Sequence, residues 1–281
     1  MPLTDFVRHL NRQHFLREAA KNPARARRGA VAPFAVARGK VLAHFGNLQL
    51  ASRFLPIVET ASGQTHGHAA GLLAFDLTRQ ISLESDSVFD LPVDNEAFVE
   101  LDRRVRTLHA LNYLTHPARG NLLLKVRSRH ILSVPSDHGL AFEEILRSCG
   151  LMPKQITLEL EIDGIDATEH LQRAVANYKA RGYHVAIHRF GRVSLNFDLL
   201  ETLRPEITRL DERLLEDPET LADATRRIQS LGAKTLMEGI DTRALLQGAR
   251  DSGIDLLQAH APLGTPPSTS AGLMFVPALR L

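Results

Sequence analysis

The sequence predicts an α/β protein: a TIM-like (β/α)8 barrel preceded by a basic, partly helical N-terminal extension. Three observations predict it. Short apolar, strand-like runs centre near residues 53, 71, 123, 158, 186, 208, 236 and 256, which makes eight. Helical stretches separate most of the later runs, and four of them close on a glycine: Gly150, Gly182, Gly232 and Gly253. Polar or ionisable residues finish six of the strands, at Lys125, Glu161, His188-Arg189, Arg209 with Asp211, Glu238 and Gln258. Strand and helix alternating in this number argue for a closed barrel over an open doubly wound sheet. No glycine-rich phosphate loop supports the open sheet.

Each element has a local reason. Thr4 reads as the N-cap of a first helix, with Phe6, Val7, Leu10, Phe15 and Leu16 as its apolar stripe. Asn22-Pro23 breaks that helix, and 24–35 reads as a basic, alanine-rich loop. Leu48–Val58 and His68–Phe75 read as strands on either side of a Ser62-Gly63 turn. The clearest helix spans 95–115, where Phe98, Leu101, Val105, Leu108 and Leu111 recur at steps of three and four. Leu122–Val126 is a short strand. The four glycines then lead into strands at 156–161, 183–188, 234–238 and 254–258, because glycine takes the left-handed conformation that closes a helix. Asp217 followed by Pro218 marks a helix start, and Ile207–Leu210 is an additional strand.

Charge is distributed unevenly. Nine of the 34 Lys/Arg but only Asp5 and Glu18 among the acids fall in residues 1–45, so that segment is +7 and the other 236 residues are −5. We therefore expect two parts, a basic extension over 1–45 and a barrel over 46–281. The Arg25–Arg28 stretch has no interleaved aromatics. It reads as a solvated linker or a docking surface for an acidic protein rather than a nucleic-acid site. A single cysteine, Cys149, excludes an internal disulfide framework and fits a packing role. No apolar run approaches the length of a membrane span. Asp5, Arg8 and Arg12 occupy the place of a signal peptide's apolar stretch, so a cytoplasmic location is expected. His66 and His68 read as surface histidines without a third ligand. His184 and His188 share one strand face, but a metal held there with Glu161 is disfavoured by Lys125 and Arg189.

The ordered motifs resemble one family. Leu55-Pro-Ile-Val-Glu59, Ser62-Gly63 and Gly67 are similar to the opening of an EAL domain, the cyclic di-GMP phosphodiesterase family. In order there follow Leu158–Ile162, Ala186–Gly191, Thr208–Asp211 and Glu238–Thr242, then Gln258 with Leu263-Gly264-Thr265-Pro266 as a closing loop. The resemblance covers about residues 46 to 270 and implies a barrel of EAL type in bacterial signalling. It also implies hydrolysis of a phosphodiester by metal-activated water, which needs several oxygen ligands around one or two divalent cations.

Carried over by position, most of that machinery is replaced. The signature Glu-Ala-Leu falls on Ala69-Ala70-Gly71, the asparagine ligand on Lys125, and the paired aspartates on His188 and Arg189. The water-activating lysine falls on Arg209, which stays protonated. Glu161 and Glu238 survive, with Asp211 nearby. The resemblance thus implies a vestigial pocket of Glu161, Glu238, Asp211, Arg209, Lys125, His188 and Arg189 with no catalytic residue. Magnesium or calcium binding is expected to be lost, since each cation at the mouth repels a divalent metal by several kcal/mol at ~4 Å. The expected function is that of an inactive regulatory module that binds another protein. The alternative is a cyclic di-GMP receptor without turnover, using Lys125, Arg189, Arg209, Glu238, Gln258 and Pro266; an active phosphodiesterase comes third. Dimerisation, common in the family, is left open by the sequence.

Overall fold

A computed structural model describes residues 3–21, 32–117, 120–163, 165–166, 168–240 and 242–258. They form two compact units, one comprising the described residues up to Arg53 with Gly71–Pro117, the other Phe54–Ala70 and the described residues from 120 on. Two long strands, β3 (Leu48–Glu59) and β4 (Thr65–Asp76), each contribute to both.

The first unit begins with α1 (Leu3–Lys21). Thr4 lies inside that helix, so it is not the cap expected. Phe6 and Val7 are its buried residues, and Asn11 bonds both the N–H and the C=O of Phe34. β1 (Phe34–Ala37) and β2 (Lys40–Phe45) pair antiparallel, and β2 pairs with β3 from Phe45↔Leu48 onward. The boundary expected after residue 45 therefore does not separate two bodies: it falls in the turn of a β-hairpin, with Gly46 at φ 57°. At the other end, β5 (Ile81–Leu83) pairs with β4. A short helix, α2 (Ser85–Phe89), precedes α3 (Asn95–Tyr113), which Asp94 caps by accepting from Ala97 N.

All five residues of the predicted stripe of α3 are buried, but so are Asp102, Arg106, His109 and Asn112. Buried polar groups need partners, and each of these has one. Arg106 Nη2 donates to Asp102 Oδ2 at 2.7 Å. Asn112 clamps β2 by accepting from Val41 N at 2.9 Å and donating to Val41 O at 2.8 Å. His109 Nδ1 lies 2.8 Å from Ser52 Oγ. Burial pushes the His109 pKa down to about 3, so its ring stays neutral.

The second unit is a closed eight-stranded barrel in the order β3-β11-β10-β9-β8-β7-β6-β4, sealed by β3 against β4. Its later strands are β6 (Asn121–Val126), β7 (Ile156–Leu160), β8 (His184–Phe190), β9 (Ile207–Leu210), β10 (Lys234–Glu238) and β11 (Leu256–Gln258). Pairs from β4–β6 around to β10–β11 are parallel, whereas β3 runs antiparallel to β11. The reversal follows from the short Ser62-Gly63 connection, too short for the crossover a parallel pair requires. Gly67 is obligatory where β4 meets β6, because a Cβ there would come within 2.3 Å of the Asn121 carbonyl oxygen.

Helices α4 (Ser128–Ser133), α5 (Leu140–Cys149), α6 (Thr168–Ala180), α7 (Phe197–Leu203), α8 (Pro218–Ser230) and α9 (Arg243–Asp251) connect the strands. The four predicted closing glycines sit at φ 82°, 87°, 85° and 75° in chain order. Asp217 caps α8 as expected by accepting from Thr220 N. Ile57, Ala69, Leu123, Ala186, Ile207, Leu236 and Leu256 form a buried cluster inside the barrel.

Candidate functional site

Strand parity decides which side chains face the barrel axis. In β7, Ile156, Leu158 and Leu160 share one face and Thr157 and Glu159 the other. The register sets Lys125 beside Glu159, and Glu159 beside Ala186. Ala186 and Ile207 belong to the interior cluster, so His188 and Arg209, two residues on, carry that face toward the strand ends. Likewise Leu236 and Leu256 lead to Glu238 and Gln258, which pair directly across β10 and β11.

Arg209 is the centre. It is 2% exposed, and its guanidinium engages three strands. Nη1 donates to Glu238 Oε2 at 2.8 Å and Nη2 to Gln258 Oε1 at 3.0 Å, while Nε donates to Glu159 Oε1. His188 Nδ1 lies 3.4 Å from the same Glu159 oxygen. Burial by itself raises the pKa of Glu159. The charges of Arg209, His188 and Lys125 outweigh that and hold the carboxyl well below the usual range. Burial likewise opposes the charge on Arg209, but Glu159 and Glu238 raise its pKa overall. Each charge is tolerated in this low-dielectric interior because its partner is present.

The structure separates the predicted pocket residues. Arg209, Glu238, Gln258 and His188 meet, and Lys125, half-buried, acts on Glu159 through its charge. Glu161 is elsewhere: β7 stops at Leu160, and Glu161 donates its backbone N–H to Val126 O while its carboxylate lies 4.0 Å from Arg127. The carboxylate at the centre is Glu159, which the sequence reading passed over. Both glutamates have the same parity, so only strand length and register distinguish them. Asp211 is buried but turned to a local task, accepting from Arg213 N at 3.1 Å as the cap of the 3-10 turn Glu212–Glu216. Arg189 sits at φ 48° in a register shift of β8 between Ile187 and Phe190, and is half-exposed. Positive φ is uncommon for a side-chain-bearing residue. The shift sets two residues, His188 and Arg189, across from Arg209 alone.

Other candidates resolve simply. Ala69 presents a buried methyl on β4. His184 Nδ1 lies 2.9 Å from Asn121 Nδ2, at the opposite end of β8 from His188. His68 is buried, not on the surface, because its side chain follows β4; His66 is half-buried, and burial pushes its pKa down. Burial raises the Cys149 thiol pKa, in keeping with an unreactive group. Pro266, the 263–266 loop and Arg25–Arg28 lie outside the described residues. Among the described residues there is no group of three or more His, Cys, Asp and Glu side chains placed to hold a metal ion. No helix among them is long and apolar enough to cross a membrane.

A closed eight-stranded barrel with a reversed first strand, bearing its ionisable cluster at the strand ends, defines the class. The family model of the EAL domain matches residues 40–258, and the chain belongs to that family. It is 24% identical over 182 residues to the uncharacterised EAL-domain containing protein YkuI of Bacillus subtilis, covering 61% of this chain and 44% of the relative. The solved YkuI structure, in complex with cyclic di-GMP and calcium, superposes with a TM-score of 0.65 at 21% identity over 77% of this chain and 55% of that one. Klebsiella pneumoniae BlrP1, in a calcium/cyclic di-GMP complex, gives 0.65 at 20% identity over 75% and 54%. A standalone EAL protein of Vibrio cholerae, also cyclic di-GMP-bound, gives 0.61 at 19% identity over 75% and 89%. The chain thus spans about half the length of YkuI and of BlrP1.

Proposed function

We propose that this chain is a cyclic di-GMP-family signalling module that has lost hydrolysis and regulates by binding another protein, in the cytoplasm. The observation that supports this reading is the Arg209 guanidinium held by Glu159, Glu238 and Gln258. A divalent cation does not fit this donor set. Two carboxylates each already give an oxygen to a fixed cation, Lys125 adds a second positive charge, and Ala69 offers a methyl where a third ligand would be needed. Phosphodiester hydrolysis of the family's kind requires a metal to activate water and to neutralise the scissile phosphate. Arg209 cannot activate water, because its guanidinium cannot take up a proton at neutral pH, and its charge is already spent on Glu159 and Glu238.

The experiment is an assay for linear dinucleotide product from cyclic di-GMP with Mg²⁺, Mn²⁺ or Ca²⁺ in excess. No turnover above the uncatalysed rate is expected; metal-dependent hydrolysis abolished by Glu159→Gln would overturn the proposal.

A second reading, a non-hydrolysing receptor, has one observation in its favour. YkuI, BlrP1 and the V. cholerae protein were solved with cyclic di-GMP, and Lys125 and Arg189 are half-exposed cations at the corresponding strand ends. A binding isotherm separates the readings. The receptor requires saturable binding that Lys125→Ala weakens, whereas the protein-binding module gives no nucleotide binding.

A further inference from the structure

Within the second unit, strand β8 ends in a tight turn that brings two arginines together. Arg192 donates its backbone N–H to Arg189 O at 3.1 Å, which makes Arg189–Arg192 a four-residue turn. Such a turn sets its first and last Cα atoms within ~7 Å of each other. Gly191 has φ 92° at the third position, the one that takes a positive φ in a type II turn. Arg189 itself sits at φ 48°, so its cation is carried on a backbone conformation that glycine adopts with less strain. The turn is held from behind. Asp211 donates its backbone N–H to Phe190 O at 2.9 Å, and a Cβ on Gly191 would come within 2.9 Å of Leu214 Cδ1.

The surface of this turn is cationic and partly apolar. Arg189 is half-exposed, Arg192 is exposed, and Val193 beside it is 82% exposed. Residues 184–197 contain no Asp or Glu. Acids at the neighbouring strand ends are engaged elsewhere: Glu161 lies by Arg127, Glu238 by Arg209 and Asp211 by Arg213. Glu212, on the adjoining 3-10 turn, reaches toward Gly239 past the end of β10. Among the described residues neither Arg189 nor Arg192 has an ion-pair partner. The aromatic rings of this stretch are also engaged. Phe190 and Phe197 meet edge to face with centroids 5.4 Å apart, and Arg227 lies over Phe197 at 3.7 Å. The turn thus presents cations and an aliphatic side chain, without the stacking platform that a nucleobase uses.

We infer that this turn is where the partner protein docks, and that it docks through an acidic segment. Carboxylates of the partner pair with Arg189 and Arg192, and an apolar residue between them packs on Val193. The inference rests on the protein-binding reading of the chain and gives that partner its chemistry. Charge complementarity carries it. Two guanidiniums without counter-charges, set close together, suit a pair of carboxylates, each able to accept two parallel N–H bonds from one arginine. Because the turn is packed against Leu214 and bonded to Asp211, little ordering of its backbone remains to oppose the contact. The attraction acts at an exposed surface and is therefore weakened by salt.

A random peptide library, displayed on phage and selected against the full chain, tests it, with the affinity of enriched peptides then measured by isotherm. These peptides are expected to carry two Asp or Glu residues flanking an apolar one, and to bind more weakly in high salt. Arg189→Glu/Arg192→Glu is expected to weaken their binding at least about tenfold. Peptides with Lys in place of those acids are expected to prefer the double variant to wild type, which a merely structural role for the arginines would not produce. Arg189→Gly removes one cation while glycine accepts φ 48°, and is expected to weaken binding about threefold. Urea unfolding verifies that both variants fold. Peptides that bind wild type and both variants alike overturn the inference but leave the protein-binding reading standing, since they dock elsewhere. A selection that yields no acidic peptide also overturns it; cyclic di-GMP binding that Arg189→Gly abolishes would overturn the protein-binding reading as well.

Discussion

The molecule buries polar side chains in two regions, and they differ in what their bonds join. Along α3 in the first unit, Arg106 pairs with Asp102 one turn away, and Asn112 and His109 tie that helix to β2 and β3. In the barrel, Arg209 joins Glu159, Glu238 and Gln258, which come from strands far apart in sequence. The first set fixes one helix on a sheet, through bonds that span 57 and 71 residues of sequence as well as one within the helix. The second exists only once the barrel has closed, and it lies at the strand ends where barrels of this kind carry their chemistry. At that place, in a buried charged knot, the Arg209 guanidinium is spent on three protein partners, which leaves it little to offer a ligand.

The largest expected effect distinguishes the two regions by stranding a charge. Arg209→Met leaves Glu159 buried without its cation, and should cost about 3–5 kcal/mol of stability in urea unfolding. Glu159→Leu added to it should recover most of that loss, because an apolar pair of similar volume is then buried. If the double variant is no better than the single one, the knot is not the closed electrostatic unit described.

The first unit should show its own pH dependence. His109 titrates at about 3 when folded, against about 6.5 for an unfolded histidine. Below that unfolded value the unfolded chain binds a proton that the folded one refuses. Its contribution is therefore complete above pH ~6.5 and is lost by about 1.4 kcal/mol per pH unit toward pH ~3. His109→Gln should flatten the stability profile over that window.

The smallest effect is expected at the rim. Arg127 and Glu161 are 4.0 Å apart, with side chains 13% and 24% exposed. Glu161→Gln should change stability by about 0–1 kcal/mol. A larger loss would restore Glu161 to the central role that the sequence alone suggested for it.

Much of the barrel is readable before any coordinates, for physical reasons that also mark the limits. Helix-closing glycines and the Asp217-Pro218 start are local signals, and each appears where expected. β1, β2 and β5 carry no such signal: they are only four, six and three residues long and gain stability from their neighbours rather than from a pattern of their own. The basic composition of the leading segment likewise conceals that β1 and β2 build into the same sheet as β3. Arg209, Glu238 and Gln258 are legible as strand-end residues. Choosing Glu159 over Glu161 is not, because both have the same parity and the choice depends on β7 stopping at Leu160.

The central claim is that a guanidinium occupies the place of the metals. A calorimetric titration of the full chain with Ca²⁺, repeated with Mg²⁺, tests it most directly. The account predicts no stoichiometric heat from either ion. A saturable site for one or two ions, lost on Glu159→Gln or Glu238→Gln, would contradict it.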